Sequence, residues 1–169
     1  MESRAKILGH SAHQILIVFP LGLLATAVIF DLIFATTQNA AMAQVSYWVM
    51  AAGIVGGLVA APFGLVDWWS VPAGTRAAKI GMVHGLVMFA VILLFTASWL
   101  MRVSTPDNPS VAAIAISVVG GLVASVGGWL GGELVCRLGV GVDDDANLNA
   151  PSSLRRHVPV RVPRELPPR

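Results

Sequence analysis

The chain has 169 residues, of which 56% are hydrophobic and only 12% charged, and its mean hydropathy is +0.75. A water-soluble core of this size has no room for so much apolar surface, so lipid is the expected solvent. The net charge of +2 comes from basic residues spread between and beyond the apolar runs, not gathered with aromatics on one face, which argues against a nucleic-acid partner. The single cysteine, Cys136, excludes an intramolecular disulfide.

The apolar residues fall into runs from about His13 to Ala35, Val45 to Trp68, Ile80 to Met101 and Val111 to Val135. Each is long enough to cross a hydrocarbon layer of about 30 Å, and only a helix satisfies the backbone there. The first run carries Pro20 and Asp31 and reads as a span, not as a cleavable signal peptide. The connections are short: Thr36 to Gln44, then Trp69 to Lys79 with SVPAGT, then Arg102 to Ser110 with TPDNPS. Short links make neighbours antiparallel, so the expected fold is all-α, an integral membrane up-down four-helix bundle over residues 1–142. From Asp143 to Arg169 prolines and arginines replace the apolar pattern, and a disordered tail is expected.

Lys and Arg residues set the expected orientation. Arg4, Lys6, Arg76, Lys79, Arg137 and the tail arginines fall on one side, and Arg102 alone on the other, so both termini are expected to be cytoplasmic. Tyr47, Trp48 and Trp99 would mark the outer interface, and Trp68 and Trp69 the inner one. Small residues recur every fourth position at Ala52, Gly56, Ala60 and Gly64, and at Gly120, Ala124, Gly128 and Gly132, which predicts close helix packing along those stripes. Pro20 and Pro62 should each kink a span.

Ionisable groups inside spans normally face the bundle interior and have partners. His10 and His13, three positions apart, should share one helix face at the cytoplasmic end, where Asp67, His84 and Glu133 also fall. Asp31 lies about 27 Å farther up the first helix, at the outer interface, where Arg102 is its expected partner. Each half of the chain opens with an intramembrane histidine and closes with a carboxylate, His13 with Asp67 and His84 with Glu133. A parallel repeat of this kind places His13 and His84 opposite one another across an axis along the membrane normal.

Three chemical readings follow from this cluster. His13 and His84 could be axial ligands of a haem b in an electron-transfer component, with His10 nearby. Alternatively, His13, His84, Asp67 and Glu133 could hold zinc or non-haem iron, or the same groups could form an ion or proton path. Against all three stands a structural role, in which Arg76, Lys79 and Arg137 neutralise Asp67 and Glu133 in a non-catalytic subunit of a larger membrane complex or a homo-oligomer. No nucleophilic constellation is present; Cys136 is expected to be a small buried hydrophobe.

Three segments, GHSAHQILIVFPLGLLATAVIFD, DWWSVPAGTRAAKIGMVHG and GGELVCRLGVGV, resemble a family of bacterial membrane proteins known as domain of unknown function twenty-two thirty-one. The resemblance runs from about Gly9 to Val142 and implies a four-helix fold in the bacterial inner membrane, with no agreed activity. It marks His10, His13, Asp31, Asp67, His84 and Glu133. Ser11 and Gln14 stand where that family's HPLHP pattern has prolines, Cys136 replaces a tyrosine, and Leu138 replaces a histidine.

Overall fold

A computed structural model describes residues Met1–Leu154. The chain begins with a hairpin of two short strands, β1 (Lys6–Ile7) and β2 (His10–Ser11), turned at Leu8 and Gly9. Both turn residues have positive φ, 51° and 87°, as a tight two-residue hairpin turn demands. The first span is α1 (Ala12–Leu16) and α2 (Val18–Thr37), broken at Ile17. Pro20 explains the break, since it has no N–H for the Leu16 carbonyl and its ring crowds that oxygen. The remaining spans are α3 (Ala40–Trp69), α4 (Arg76–Leu100) and α5 (Val111–Gly132), the last widening into a π-helical turn over Glu133–Arg137.

Helix α3 starts five residues before the apolar run, because the Asn39 side chain accepts from the Ala41 N–H at 3.0 Å and caps it. Thr75 and Ser110 cap α4 and α5 in the same manner. Although Pro62 removes a donor inside α3, the helix runs through it unbroken. Each helix touches its sequence neighbours and α2 touches α5, so the four spans form a closed ring in which α2 lies diagonally from α4 and α3 from α5. A core of Leu24, Ala27, Met50, Ile54, Val91 and Phe95 fills the centre. Outward faces remain apolar, with Val18, Leu86, Phe89 and Leu122 all more than half exposed. Such a surface is stable only in lipid, and the chain is an integral membrane protein.

The two halves are built in the same register. His13, Leu24, Ala27 and Asp31 are followed, at a constant offset of 71 positions, by His84, Phe95, Ser98 and Arg102. On the partner helices Ser46, Gly53, Ala60 and Gly64 correspond to Ala113, Gly120, Gly127 and Gly131. The contacts correspond too. Leu24 packs on Gly53 as Phe95 packs on Gly120. The Ser46 hydroxyl donates to the Ala27 carbonyl at 3.0 Å, and the Ser98 hydroxyl to the Ala113 carbonyl at 2.6 Å, with donor and acceptor helices exchanged. The true close-packed stripe of α5 is therefore Gly120, Gly127 and Gly131. Gly128 and Gly132, expected in the stripe, face open space, because the helix turns 100° per residue and the packed face drifts from a strict four-residue repeat.

Equivalent positions meet across the bundle axis at the end remote from the termini. Asp31 and Arg102, both fully buried, form a bidentate pair with N–O distances of 2.7 and 3.1 Å. Ser46 donates to the carboxylate at 2.6 Å, Ser117 donates to its other oxygen, and Ser98 accepts from the guanidinium at 2.8 Å. The expected pairing is thus present, and it is enclosed by the helices. Removing one member strands a buried charge, so Asp31→Ala is expected to lower stability by about 3–5 kcal/mol. Exchanging both residues together for Leu and Met should restore most of that loss, since each serine retains a backbone acceptor. Denaturation in micelles, followed by tryptophan fluorescence, measures both.

Candidate functional site

At the opposite end, His13 on α1 and His84 on α4 occupy the equivalent diagonal positions. The Nδ1 atom of His13 lies 3.0 Å from the Ala60 carbonyl, and that of His84 lies 3.0 Å from the Gly127 carbonyl. A carbonyl oxygen can only accept, so each Nδ1 carries a proton, and in the neutral form of the ring the lone pair sits on Nε2. Among the described residues, neither Nε2 atom has a hydrogen-bond partner.

Small residues make this geometry accessible. A helical carbonyl points toward the residue four positions ahead, whose side chain normally flanks it. Here those residues are Gly64 and Gly131, so the Ala60 and Gly127 oxygens are open to an approaching ring. A Cβ on Gly64 would lie 2.8 Å from the His13 ring, and one on Gly131 would lie 3.4 Å from the His84 ring. The periodicity of small residues marked Gly64 as a packing site and missed Gly131 by one position. Their role as gaps that admit an imidazole was not evident without the register, although the 71-residue spacing of the histidines was visible.

The carboxylates of the repeat lie near this end but are otherwise engaged. Asp67 accepts from the Ser3 hydroxyl at 2.7 and 2.9 Å, the Arg4 N–H at 2.9 Å, the Ala5 N–H at 3.4 Å and the Ser11 hydroxyl at 3.4 Å. Glu133 pairs with Arg76 at 2.6 Å. The expected basic partner is therefore present for Glu133, whereas Asp67 is bound by the N-terminal segment instead of by Arg76, Lys79 or Arg137. In both halves the closing carboxylate grips the segment that leads into a histidine-bearing helix.

His10 does not share a helix face with His13, because α1 starts only at Ala12; it sits exposed in β2, 3.3 Å from the Ser153 hydroxyl. Cys136 is exposed on the π-helical turn, not buried. Among the described residues, no three of His, Cys, Asp and Glu converge as a metal-binding group. His13, His84, Asp67 and Glu133 accordingly present two imidazoles and two separately satisfied carboxylates. Lys6 bridges Asp143 at 2.6 Å and Glu2 at 2.8 Å, contacts that hold its ammonium well above the usual lysine range. Residues Asp143 and Ser153 thus touch the N-terminal hairpin, while the arginine-rich part of the expected tail lies outside the described residues.

No curated protein and no solved structure matches the chain. A family model described as predicted membrane protein, DUF2231, matches residues 9–144, which include all four spans and both imidazoles. The chain belongs to the DUF2231 family of predicted membrane proteins.

Proposed function

We propose that this protein binds a haem b between His13 and His84 and serves as an electron-transfer component of a bacterial inner membrane, with both termini cytoplasmic. One observation carries the reading: two dyad-related imidazoles, each with Nδ1–H fixed on a backbone carbonyl and Nε2 left with a free lone pair. Histidines that ligate metals commonly donate their other ring N–H to a carbonyl or carboxylate, which sets the tautomer and orients the ring. That donor set fits the axial positions of a haem, which need two nitrogen ligands and no carboxylate. Zinc and non-haem iron sites take at least three protein ligands, and the described residues bring no such group together. Bound haem would supply a one-electron couple inside the bundle. This chain would contribute the ligands, their orientation and an apolar surround.

Orientation is supported by charge. Among the described residues, Arg102 is the one basic residue at the far end and is neutralised inside the bundle, whereas Lys79 and Arg76, the latter paired with Glu133, lie exposed at the terminal end. A non-catalytic subunit or an ion-coupled transporter would leave different signatures. The first would be colourless with or without haem supply, and the second would show uptake dependent on Asp67 or Glu133.

The protein purified from haem-replete membranes is expected to show a Soret band that shifts on reduction. His13→Ala and His84→Ala should each abolish it, and the remote Asp31–Arg102 replacement should not. A colourless, folded wild-type protein that fails to take up added haemin overturns the proposal. Gly64→Val is a subtler test: its side chain intrudes on the His13 ring, so haem affinity should fall by about tenfold or more, the expected cost of disturbing a group that orients a ligand. Titration with haemin measures it.

A further inference from the structure

The N-terminal segment has no place in the repeat, yet it is tied down more thoroughly than any connection. Ser3 and Asp67 are only 6% and 7% exposed, and the hydroxyl of one donates to the carboxylate of the other. The Arg4 and Ala5 amides point at the same carboxylate, and the Ala5 carbonyl accepts from the Ala12 N–H at 2.7 Å, which closes the segment onto the start of α1. On its other side, the Met1 carbonyl accepts from the Gly141 N–H at 2.9 Å, and Lys6 reaches Asp143. Asp67 ends α3, and Gly141 lies just beyond the π-helical turn that ends α5. Both attachments lie at the start of α1: Gly141 packs on Gln14 and Ser11, and the Ser11 hydroxyl reaches Asp67 at 3.4 Å, so the segment is held at the α1–α3 corner of the bundle end, on the helix that carries His13.

We infer that residues Met1–Ser11 form a strap, latched on the Asp67 carboxylate, which controls aqueous access to the His13 imidazole. The latch is a single group. A helix C-terminus disfavours a carboxylate in its last turn, so Asp67 depends on the donors that the strap supplies. Releasing Ser3 removes the shortest of them and weakens the others' geometry. In the second half the carboxylate, Glu133, grips Arg76, the first residue of α4 itself. The route that opens is therefore on the α1 side. The inference rests on the imidazole pair being the site, but its test reads ring accessibility and needs no cofactor.

The full chain in nanodiscs is treated with diethyl pyrocarbonate, which acylates accessible neutral imidazoles, and modification at His10, His13 and His84 is followed by mass spectrometry. In the wild type His13 should react far more slowly than exposed His10. Ser3→Ala should raise the His13 rate by about tenfold, the equivalent of one hydrogen bond to a charged group. In a Cys136→Ser background, Ser3→Cys with Asp67→Cys joined by a short bifunctional thiol reagent should bring the rate below that of the same protein left unjoined. Equal His13 rates in wild type, Ser3→Ala and the joined protein overturn the strap, as does wild-type His13 reacting as fast as His10. If Ser3→Ala does not fold, the joined and unjoined forms of the double-cysteine protein decide alone. A strap that behaves as expected in a protein that binds no haem would sink the cofactor proposal and leave this one intact.

Discussion

The arrangement depends on one buried ion pair. Two charges that leave water for a membrane interior are costly, and their attraction offsets the cost only when the geometry is good and the remaining hydrogen-bonding capacity is filled. Asp31 and Arg102 meet both conditions, with a bidentate contact and three serines contributed by α3, α4 and α5. The two residues occupy equivalent positions of the repeat, so any residue placed twice there would face its own copy across the axis. Two carboxylates or two guanidiniums would repel in that low dielectric. Opposite charges turn the clash into a lock that fixes the rotation of α2 against α4. Because α1 continues α2 with only the break at Ile17, the same lock sets where His13 and His84 point at the other end.

The histidines repeat the problem of equivalent positions at an axis with a different solution. Neutral imidazoles do not repel, so a like pair is tolerated provided neither ring is charged. The carbonyls of Ala60 and Gly127 orient each ring by accepting from its Nδ1–H, and they are reachable because Gly64 and Gly131 leave a gap one turn ahead. Packing and chemistry are here the same feature. A glycine that lets two helices approach also lets a side chain from one hydrogen-bond to the backbone of the other, which in hydrocarbon has no water as competitor.

Spans, connections, helix polarity and the repeat of histidine and carboxylate were legible in the sequence, because hydrophobic length and the rarity of charge in lipid constrain them strongly. The Asp31–Arg102 pair was legible as a contact, but its complete enclosure by the helices was not. Arg102 follows the last apolar residue of α4 and reads as interfacial, but the hydroxyls of Ser46, Ser98 and Ser117, scattered through apolar runs, were the sign of a polar interior. The small-residue stripe of α5 was off by one position, since both Gly127 and Gly128 fit the spacing and only the contacts with Met88 and Val87 decide between them. The strap was not legible at all. Ser3 and Arg4 precede the first apolar run in a segment with no periodicity, and their partner Asp67 is 63 or 64 positions away.

The carboxylates show how a duplicated hairpin comes to differ in its two halves. Asp67 and Glu133 each end the second helix of a hairpin, where the helix dipole is unfavourable to negative charge and a donor must be found nearby. In the second half the donor is already at hand, since the connection from α3 delivers Arg76 at the first position of α4. In the first half the residues ahead of α1 supply the donors, and the Arg4 and Ala5 amides with the Ser3 and Ser11 hydroxyls take the place of a guanidinium. An arginine on a helix is rigidly placed and permanently charged. The neutral hydroxyls and amides that hold Asp67 are not, and each of those bonds can exchange with water at the membrane face. The same electrostatic demand thus makes one entrance of the bundle fixed and leaves the other able to open, and the one able to open is beside His13.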